Sequence, residues 1–341
     1  MTQVTDHGGG VRSLRVPIPD NPLGHTLVYV VDTDRGPVLI DTGWDDPGSW
    51  DTLAQGLTAC GTSVAEIHGV VVTHHHPDHH GLSGRVRQAS GAWIAMHAAD
   101  TAVVRRTREA RPEHWYAYMA ARLAAAGAPE EHIAPRRRPG HRTLPGLSPA
   151  LPDRDIVPGE LLDLPGRRLR AIWTPGHTPG HVCLHLEEAH PAQLPGHGRL
   201  FSGDHLLPGI TPHIGLYEDP DDTTVTDPLG DYLDSLERVG RLAPAEILPA
   251  HQHPFPDATA RVGALLAHHE SRLADLSALL AEPLTPWQLA ERMEWNRPWD
   301  QIPHGSRTIA VSEAEAHLRR LVKLGRAEAV PGSEPVRYVA V

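Results

Sequence analysis

This chain of 341 residues has little cysteine, no long apolar segment and no excess of basic residues, and each shortage excludes a class of protein. Two cysteines, Cys60 and Cys183, are too few for a disulfide framework. No apolar stretch approaches the roughly 20 residues that span a bilayer. Residues 1–10 lack the charged and apolar regions of a secretory signal. We therefore expect a cytoplasmic protein that does not bind membranes.

The formal net charge is −11, which argues against nucleic acid as the main partner because phosphate groups favour a basic surface. Residues Arg136-Arg137-Arg138 form the one dense basic run. A nucleic-acid substrate is not excluded by charge alone, since bound metal ions add positive charge at a site. The acidic balance makes a small-molecule or carrier-linked substrate the stronger expectation.

The most informative segment is a histidine-rich run at residues 73–81, directly after the apolar, β-branched residues 70–72. These valines are typical of a buried strand, and Pro77 prevents a regular helix from continuing through the run. Imidazole nitrogens and carboxylate oxygens are ligands that suit zinc and its first-row neighbours. One register gives the pattern His-x-His-x-Asp-His, at His74, His76, Asp78 and His79.

Four other segments of the chain also hold potential ligands or glycines. They are Asp41-Thr42-Gly43, the turn Trp173-Thr174-Pro175-Gly176-His177-Thr178-Pro179-Gly180-His181, Phe201-Ser202-Gly203-Asp204-His205 and Leu248-Pro249-Ala250-His251. Each contains potential metal ligands or glycines, next to an apolar run that predicts a strand. The ordered set therefore favours a metal site.

Strands alternating with helices through the first three quarters of the chain predict a layered α/β domain. Residues 98–126 are predicted to be helical, residues 132–151 to form an irregular loop, and residues 161–164 to form a strand. The predicted domains are residues 1–260 and residues 261–341.

The smaller domain has the outline of a winged helix. A long helix over residues 264–280 precedes a short one capped by Thr285. Ser312 and Glu315 predict a capping box for a third helix that stops at Gly325, and two short strands follow around residues 331–332. We expect this domain to cover the edge of the active site or to form a homodimer contact.

Together the motifs resemble the metallo-β-lactamase fold superfamily of metallo-hydrolases, over roughly residues 15–255. The branch that the chain most resembles is glyoxalase II-like, with a C-terminal winged-helix-like domain. The resemblance implies an αββα sandwich that carries a dinuclear metal site. The implied cofactors are two divalent metal ions, zinc first, with iron and manganese as alternatives.

The resemblance also assigns roles to individual residues. It gives His74, His76 and His177 to the first metal, and Asp78, His79 and His251 to the second, with Asp204 bridging both. Catalytic roles fall to Asp78 and to Asp41, whose carboxylate is expected to accept an N–H from a ligand histidine and so fix its tautomer.

Other histidines near the motifs have different expected roles. We expect His75 and His80 to point away from the metals or to pack within their loop, and His181 to make a buried hydrogen bond instead of binding metal. His97 ends a predicted strand, where a structural role is more common than contact with the site. His253 is the alternative ligand in the last motif.

The implied function is hydrolysis, in which a metal-bridging hydroxide attacks an ester, thioester or lactone carbonyl. The substrate would be a small or carrier-linked acyl compound. Trp44, Trp115, His213 and Tyr217 are candidates to contact it. For these side chains, packing within a helix or loop is the alternative interpretation.

Two other functions remain open at this point. Branches of the superfamily with a similar C-terminal domain cut RNA, so a metal-dependent phosphodiesterase or endoribonuclease is the first alternative. A DNA-binding regulator that uses the winged helix is the second, since His317, Arg319, Arg320, Lys323 and Arg326 lie on or just after its third helix.

Overall fold

The computed structural model of the protein describes residues 4–109, 112–137, 149–217, 219, 221–222 and 224–341. These residues form two compact units. The first contains the described residues of ranges 1–108, 144–212 and 234–263, and the second contains those of ranges 109–143, 213–233 and 264–341. The last division lies close to the predicted domain boundary near residue 260, but the second unit also includes two earlier segments.

The strands are β1 (Val4–Asp6), β2 (Val11–Pro17), β3 (His25–Val31), β4 (Val38–Ile40), β5 (Gly69–Val71), β6 (Trp93–His97), β7 (Arg154–Ile156), β8 (Leu169–Trp173), β9 (Val182–Leu186), β10 (Arg199–Gly203), β11 (Glu246–Pro249), β12 (Ala327–Ala329) and β13 (Tyr338–Ala340). The helices are α1 (Pro47–Ala59), α2 (Pro77–His80), α3 (Ser83–Ser90), α4 (Ala98–Glu109), α5 (Pro112–Ala125), α6 (Glu130–Arg137), α7 (Pro228–Gly240), α8 (Ala258–Leu279), α9 (Pro286–Arg292) and α10 (His304–Lys323). In the described residues, no helix has both the length and the apolar character needed to cross a membrane.

Two sheets organise the first unit. The larger has seven strands in the order β1 to β7, antiparallel from β1 to β4 and parallel from β4 to β7. The smaller has the order β11-β10-β9-β8, in which only β10 and β11 are parallel neighbours. The carboxyl ends of β4, β5 and β6 therefore lie at one edge of the larger sheet, and those of β8, β10 and β11 at one edge of the smaller.

The core of this unit lies between the two sheets. Tyr29 and Val71 from the larger sheet belong to the same buried cluster as Leu184, Phe201 and Leu248 from the smaller. The ring of Tyr29 meets the ring of Phe201 edge-on, with centroids 5.1 Å apart. Alternate residues along each strand supply this cluster, as expected for a sheet with one face toward a partner sheet.

Helices cover the outer faces of the sandwich. Leu53 of α1, Val86 of α3 and Val104 of α4 pack in the cluster on the other face of the larger sheet. On the other side, Ser235 of α7 donates a hydrogen bond to the carbonyl of Pro175, on the turn after β8, at 3.0 Å. This arrangement is the αββα sandwich predicted from the sequence, and that prediction is confirmed.

In the second unit, α8, α9, α10 and the β12–β13 hairpin follow one another in the predicted order. The predicted start of the third helix was wrong, because α10 begins at His304 and Ser312 lies inside it. The Ser312 hydroxyl accepts a hydrogen bond from the backbone N–H of Leu216 at 2.9 Å, so it does not cap the helix. The helix does end where predicted, with Gly325 in the left-handed region at φ 68°. The winged-helix assignment stays a prediction.

Residues 98–109 and 112–125 are helical, as predicted, and they form two helices, the second of which begins at Pro112, a residue favoured at the first helical position. Two other local predictions were wrong. Part of the predicted irregular loop is α6, whose last turn contains Arg136 and Arg137, while Arg138 lies outside the described residues. Residues 161–164 form no strand in the structure and pair only through a bridge between Leu161 and Arg170.

The start of α9 offers a direct stability test. The Thr285 hydroxyl accepts a hydrogen bond from the N–H of Gln288 at 3.2 Å, and the Gln288 side chain accepts one from the N–H of Thr285 at 3.1 Å. Thr285→Ala is expected to lower the free energy of unfolding by about 1 kcal/mol, because it leaves the Gln288 N–H without its cap. Urea unfolding would measure the loss. Thr285→Ser keeps the hydroxyl and should stay close to the parent protein.

Candidate metal centre

The predicted ligands come from separate loops of the first unit, and each loop follows the carboxyl end of a strand. Asp41 follows β4, the histidine run follows β5, the turn with His177 follows β8, Asp204 follows β10, and His251 comes two residues after β11. The histidine run is not a plain loop, since Pro77 begins the short helix α2. The structure brings all seven predicted ligands into overlapping clusters of donor atoms.

Three imidazoles make the first donor group, which we define as His74, His76 and His177. Their ligand nitrogens lie within 4.8 Å of one another. Nε2 of His74 and Nε2 of His177 each lie 3.0 Å from Nδ1 of His76. Burial holds the pKa of His74 and of His76 well below the usual value, so both rings are neutral. Each nitrogen of a neutral imidazole has either one proton or one lone pair to share in a hydrogen bond. A cation, in contrast, accepts a lone pair from each of the three rings.

The second donor group consists of Asp78, His79 and His251. Oδ2 of Asp78 lies 3.6 Å from Nε2 of His79 and 3.4 Å from Nε2 of His251. Both histidines are fully buried. One carboxylate oxygen and two imidazole nitrogens form a donor set that suits a divalent ion of the first transition row.

Asp204 faces both donor groups. Its Oδ1 lies 3.2 Å from Nε2 of His251 and 3.5 Å from Nε2 of His79, in the second group. Its Oδ2 lies 3.5 Å from Nε2 of His177, in the first group. A carboxylate with one oxygen toward each group is placed to bridge two ions.

The buried atoms of this cluster fit cations. Within the described residues, Nε2 of His79, Nε2 of His251 and Oδ1 of Asp204 make no hydrogen bond, although Oδ1 of Asp204 lies only 3.2 Å from Nε2 of His251 and 3.5 Å from Nε2 of His79. Leaving such an atom unsatisfied costs roughly 1 to 3 kcal/mol. Burial lowers the pKa of His251, but the carboxylates of Asp204 and Asp78 outweigh it and raise the pKa to about 10. Unsatisfied ligand atoms beside surplus negative charge are what a divalent cation would compensate.

Asp41 fixes the orientation of two ligand histidines. Its Oδ2 accepts the Nδ1–H of His79 at 2.8 Å and the Thr73 hydroxyl at 2.9 Å, and its Oδ1 accepts the N–H of Thr73 at 2.8 Å. Because the Thr73 hydroxyl donates to Asp41, it can accept Nδ1–H of His74, 3.1 Å away. In both rings Nε2 is then the nitrogen left to bind metal. Asp41 has a φ of 61°, a backbone strain of roughly 1 to 3 kcal/mol that sequence reasoning did not reveal.

Hydrogen bonds also fix the positions of His251 and Asp204. Nδ1–H of His251 donates to the carbonyl of His25 at 2.9 Å, which leaves its Nε2 as the ligand atom. His181 accepts the backbone N–H of Asp204 at its Nε2, at 3.2 Å, so its Nδ1–H donates to the Thr174 hydroxyl at 2.8 Å. His181 thus positions Asp204 through buried hydrogen bonds.

The remaining histidines near the motifs lie outside the donor groups found in the described residues. Nδ1 of His75 lies 3.0 Å from Asp100, and Nε2 of His80 donates to the Ala150 carbonyl at 2.9 Å. His97 stacks on Trp173, with ring centroids 5.4 Å apart. His253 is exposed.

The candidate substrate residues are split between the two units. Trp44 is half-buried in the first unit, directly after Gly43. The other three belong to the second unit, where His213 pairs with Glu313, Tyr217 donates to Asp231, and Trp115 contacts Tyr118. Their contact with substrate stays a prediction.

Comparisons with known proteins agree with this geometry. A family model described as the metallo-beta-lactamase superfamily matches residues 21–251. The probable metallo-hydrolase YqjP of Bacillus subtilis is 25% identical over 310 residues, which cover 90% of this chain and 91% of that protein. The crystal structure of a metallo-beta-lactamase family protein from Thermus thermophilus is similar at 32% identity and a TM-score of 0.79, covering 97% of this chain and 99% of that one. That of a beta-lactamase domain protein from Burkholderia ambifaria has 25% identity and a TM-score of 0.79, covering 99% and 94%.

Proposed function

Because this chain belongs to the metallo-beta-lactamase superfamily, whose members are generally metal-dependent hydrolases, we propose that it is a dinuclear metal-dependent hydrolase of esters, thioesters or lactones. The observation that carries the proposal is the position of Asp204, which has one oxygen toward each donor group. When bound, two divalent ions supply Lewis-acid activation of a water molecule and of a carbonyl oxygen. Zinc is the first candidate, because nitrogen and carboxylate ligands suit it, and iron and manganese are the alternatives.

The residues of the chain contribute placement and charge. The hydrogen bond from His79 to Asp41 and that from His251 to the His25 carbonyl each direct Nε2 into the cluster. The carboxylates of Asp78 and Asp204 would offset the repulsion between two bound dications. With these roles filled, hydrolysis needs no nucleophile from the protein, which agrees with a cluster built from ligand side chains.

We propose a small or carrier-linked acyl compound as the substrate. Trp44 supports this in the first unit, since its half-buried indole directly follows the Asp41-Thr42-Gly43 turn that carries a site residue. Small-molecule sites are lined mainly by apolar and aromatic side chains, with a few polar groups that orient the ligand. The net charge of −11 supports an uncharged or carrier-bound acyl group over a nucleic acid.

Metal content and hydrolysis test the proposal together. Purified protein is expected to hold about two transition-metal ions per chain, as in other two-metal hydrolytic sites. It should hydrolyse a generic thioester or aryl ester, lose that activity to a chelator, and regain it with zinc. Elemental analysis and a chromogenic ester assay measure both properties.

Other outcomes separate the alternative functions. Cleavage of single-stranded RNA without ester turnover would replace the proposed reaction with phosphodiester hydrolysis. Sequence-selective binding of duplex DNA that a chelator does not affect would favour a regulator. Protein that is folded but free of metal under all three loading conditions (zinc, iron and manganese) would contradict the proposal.

A further inference from the structure

Asp100 is a fully buried carboxylate in the first turn of α4 that the sequence analysis did not single out. Its Oδ2 accepts hydrogen bonds from the N–H of His75 at 2.8 Å, from Nδ1 of His75 at 3.0 Å and from the Thr178 hydroxyl at 2.8 Å. Its Oδ1 accepts the N–H of Gly180 at 2.6 Å. A buried carboxylate is costly without such donors, so these contacts account for its presence in the interior.

The donors belong to the two segments that carry the first donor group. His75 lies between His74 and His76, and Thr178 directly follows His177. Among the hydrogen bonds of the described residues, none joins the Asp100 side chain to Asp204 or His251 or to their neighbours. One carboxylate therefore fixes the distance between the histidine run and the turn after β8.

Gly180 shows how closely that turn approaches Asp100. A Cβ atom added to Gly180 would lie 2.5 Å from the backbone nitrogen of Asp100 and 2.6 Å from its Oδ1. Both distances are too short for non-bonded atoms, so a larger residue at position 180 would push the turn away. Because residue 180 is a glycine, the turn can approach Asp100 closely enough for the hydrogen bond from the Gly180 N–H.

We propose that Asp100 is a positioning residue that holds His177 against His74 and His76, and so sets the affinity of the first donor group for its metal ion. This inference rests on the proposed metal centre. Asp41 has a different role. It contacts His79 directly and His74 through Thr73, so it orients one ligand from each donor group.

Zinc titration of metal-free protein against a chromophoric chelator tests the inference without an activity assay. Asp100→Asn should lower the affinity for one of the two ions by roughly 10- to 100-fold, the usual effect of removing a hydrogen-bond partner that supports metal ligands. The affinity for the other ion should stay within about twofold of the parent value. Asp41→Asn should lower the affinity for both ions. Asp45→Asn is the matched control, since Asp45 is a buried carboxylate that pairs with Arg85 at 2.8 Å, and it should leave both ions unchanged.

Double variants identify which ion is affected. In a His177→Ala background the first donor group is already incomplete, so adding Asp100→Asn should change zinc affinity no further. In a His251→Ala background the first group is intact, so Asp100→Asn should keep its full effect. Equal effects in the two backgrounds would mean that Asp100 acts on the fold as a whole, and would overturn the inference.

Thr178→Val provides a second route if Asp100→Asn fails to fold. It removes one donor to Asp100 while conserving volume, and should weaken the same ion by a smaller factor. Two tightly bound ions in Asp100→Asn, or in Thr178→Val if Asp100→Asn does not fold, would overturn the inference and leave the proposed function intact. A parent protein that binds no ion would overturn the proposed function and this inference with it.

Discussion

Asp204→Ala is expected to abolish hydrolysis, with a loss in kcat/KM of at least on the order of a thousandfold, or about 4 kcal/mol of transition-state stabilisation. The expected loss is large because the two oxygens of Asp204 face different donor groups, with Oδ1 3.2 Å from Nε2 of His251 and Oδ2 3.5 Å from Nε2 of His177. Removing it takes a ligand atom from each group at once. Elemental analysis of the variant should show loss of both ions, and ester turnover should fall to the background rate.

His251→Ala and Asp163→Ala are the control variants for this experiment. His251 belongs to the second donor group alone, so its variant should lose activity but keep one ion. Asp163 is an exposed carboxylate whose only partner among the described contacts is Arg35, at 3.3 Å, so its variant should keep both ions and full activity. An Asp204→Ala enzyme with two ions and near-normal turnover would remove Asp204 from the site.

The sequence predicted the metal centre well because its signals are local. The spacing of His74, His76, Asp78 and His79 places four donors within six residues, after an apolar run that becomes β5. The other motifs also follow apolar runs that become strands. Parallel strands carry their carboxyl ends to one edge of a sheet, so the meeting of these motifs follows from the predicted fold class.

Asp100 could not be predicted in the same way, because its partners are distant along the chain. They lie 25, 78 and 80 residues away, at His75, Thr178 and Gly180. The local signal is only an acidic residue in the first turn of a helix, a common and usually solvated position. Its role depends on complete burial, which a single sequence does not reveal.

Ser312 illustrates the opposite error, in which a local signal was present but misleading. Ser312 and Glu315 have the spacing of a capping box, yet the helix begins eight residues earlier. The Ser312 hydroxyl bonds to the backbone of Leu216, 96 residues away, and Glu315 pairs with Arg122, 193 residues away. Tertiary partners thus took up both side chains that the pattern assigned to a helix end.

Tyr29→Ala is expected to give the largest loss of stability, about 3 to 5 kcal/mol in the free energy of unfolding. Tyr29 is 2% exposed, its ring packs edge-on against Phe201 between the two sheets, and its hydroxyl donates to the Pro249 carbonyl at 2.7 Å. The substitution therefore opens a cavity in the sheet–sheet core and leaves a buried carbonyl unsatisfied. Urea unfolding of the metal-free protein measures the loss without a contribution from bound ions.

Tyr29→Phe separates packing from the hydrogen bond. It keeps the ring and should cost only about 1 to 3 kcal/mol, the penalty for leaving the Pro249 carbonyl unpaired. Because Pro249 lies two residues before His251, this variant should also weaken zinc binding while the core stays filled. Val157→Ala, at a site that is 56% exposed, should change stability by no more than about 0.5 kcal/mol. If Tyr29→Phe matches the parent protein in both stability and zinc affinity, the hydroxyl does not hold the end of β11, and the other hydrogen bonds of this segment, such as that from His251 to the His25 carbonyl, are enough to position His251.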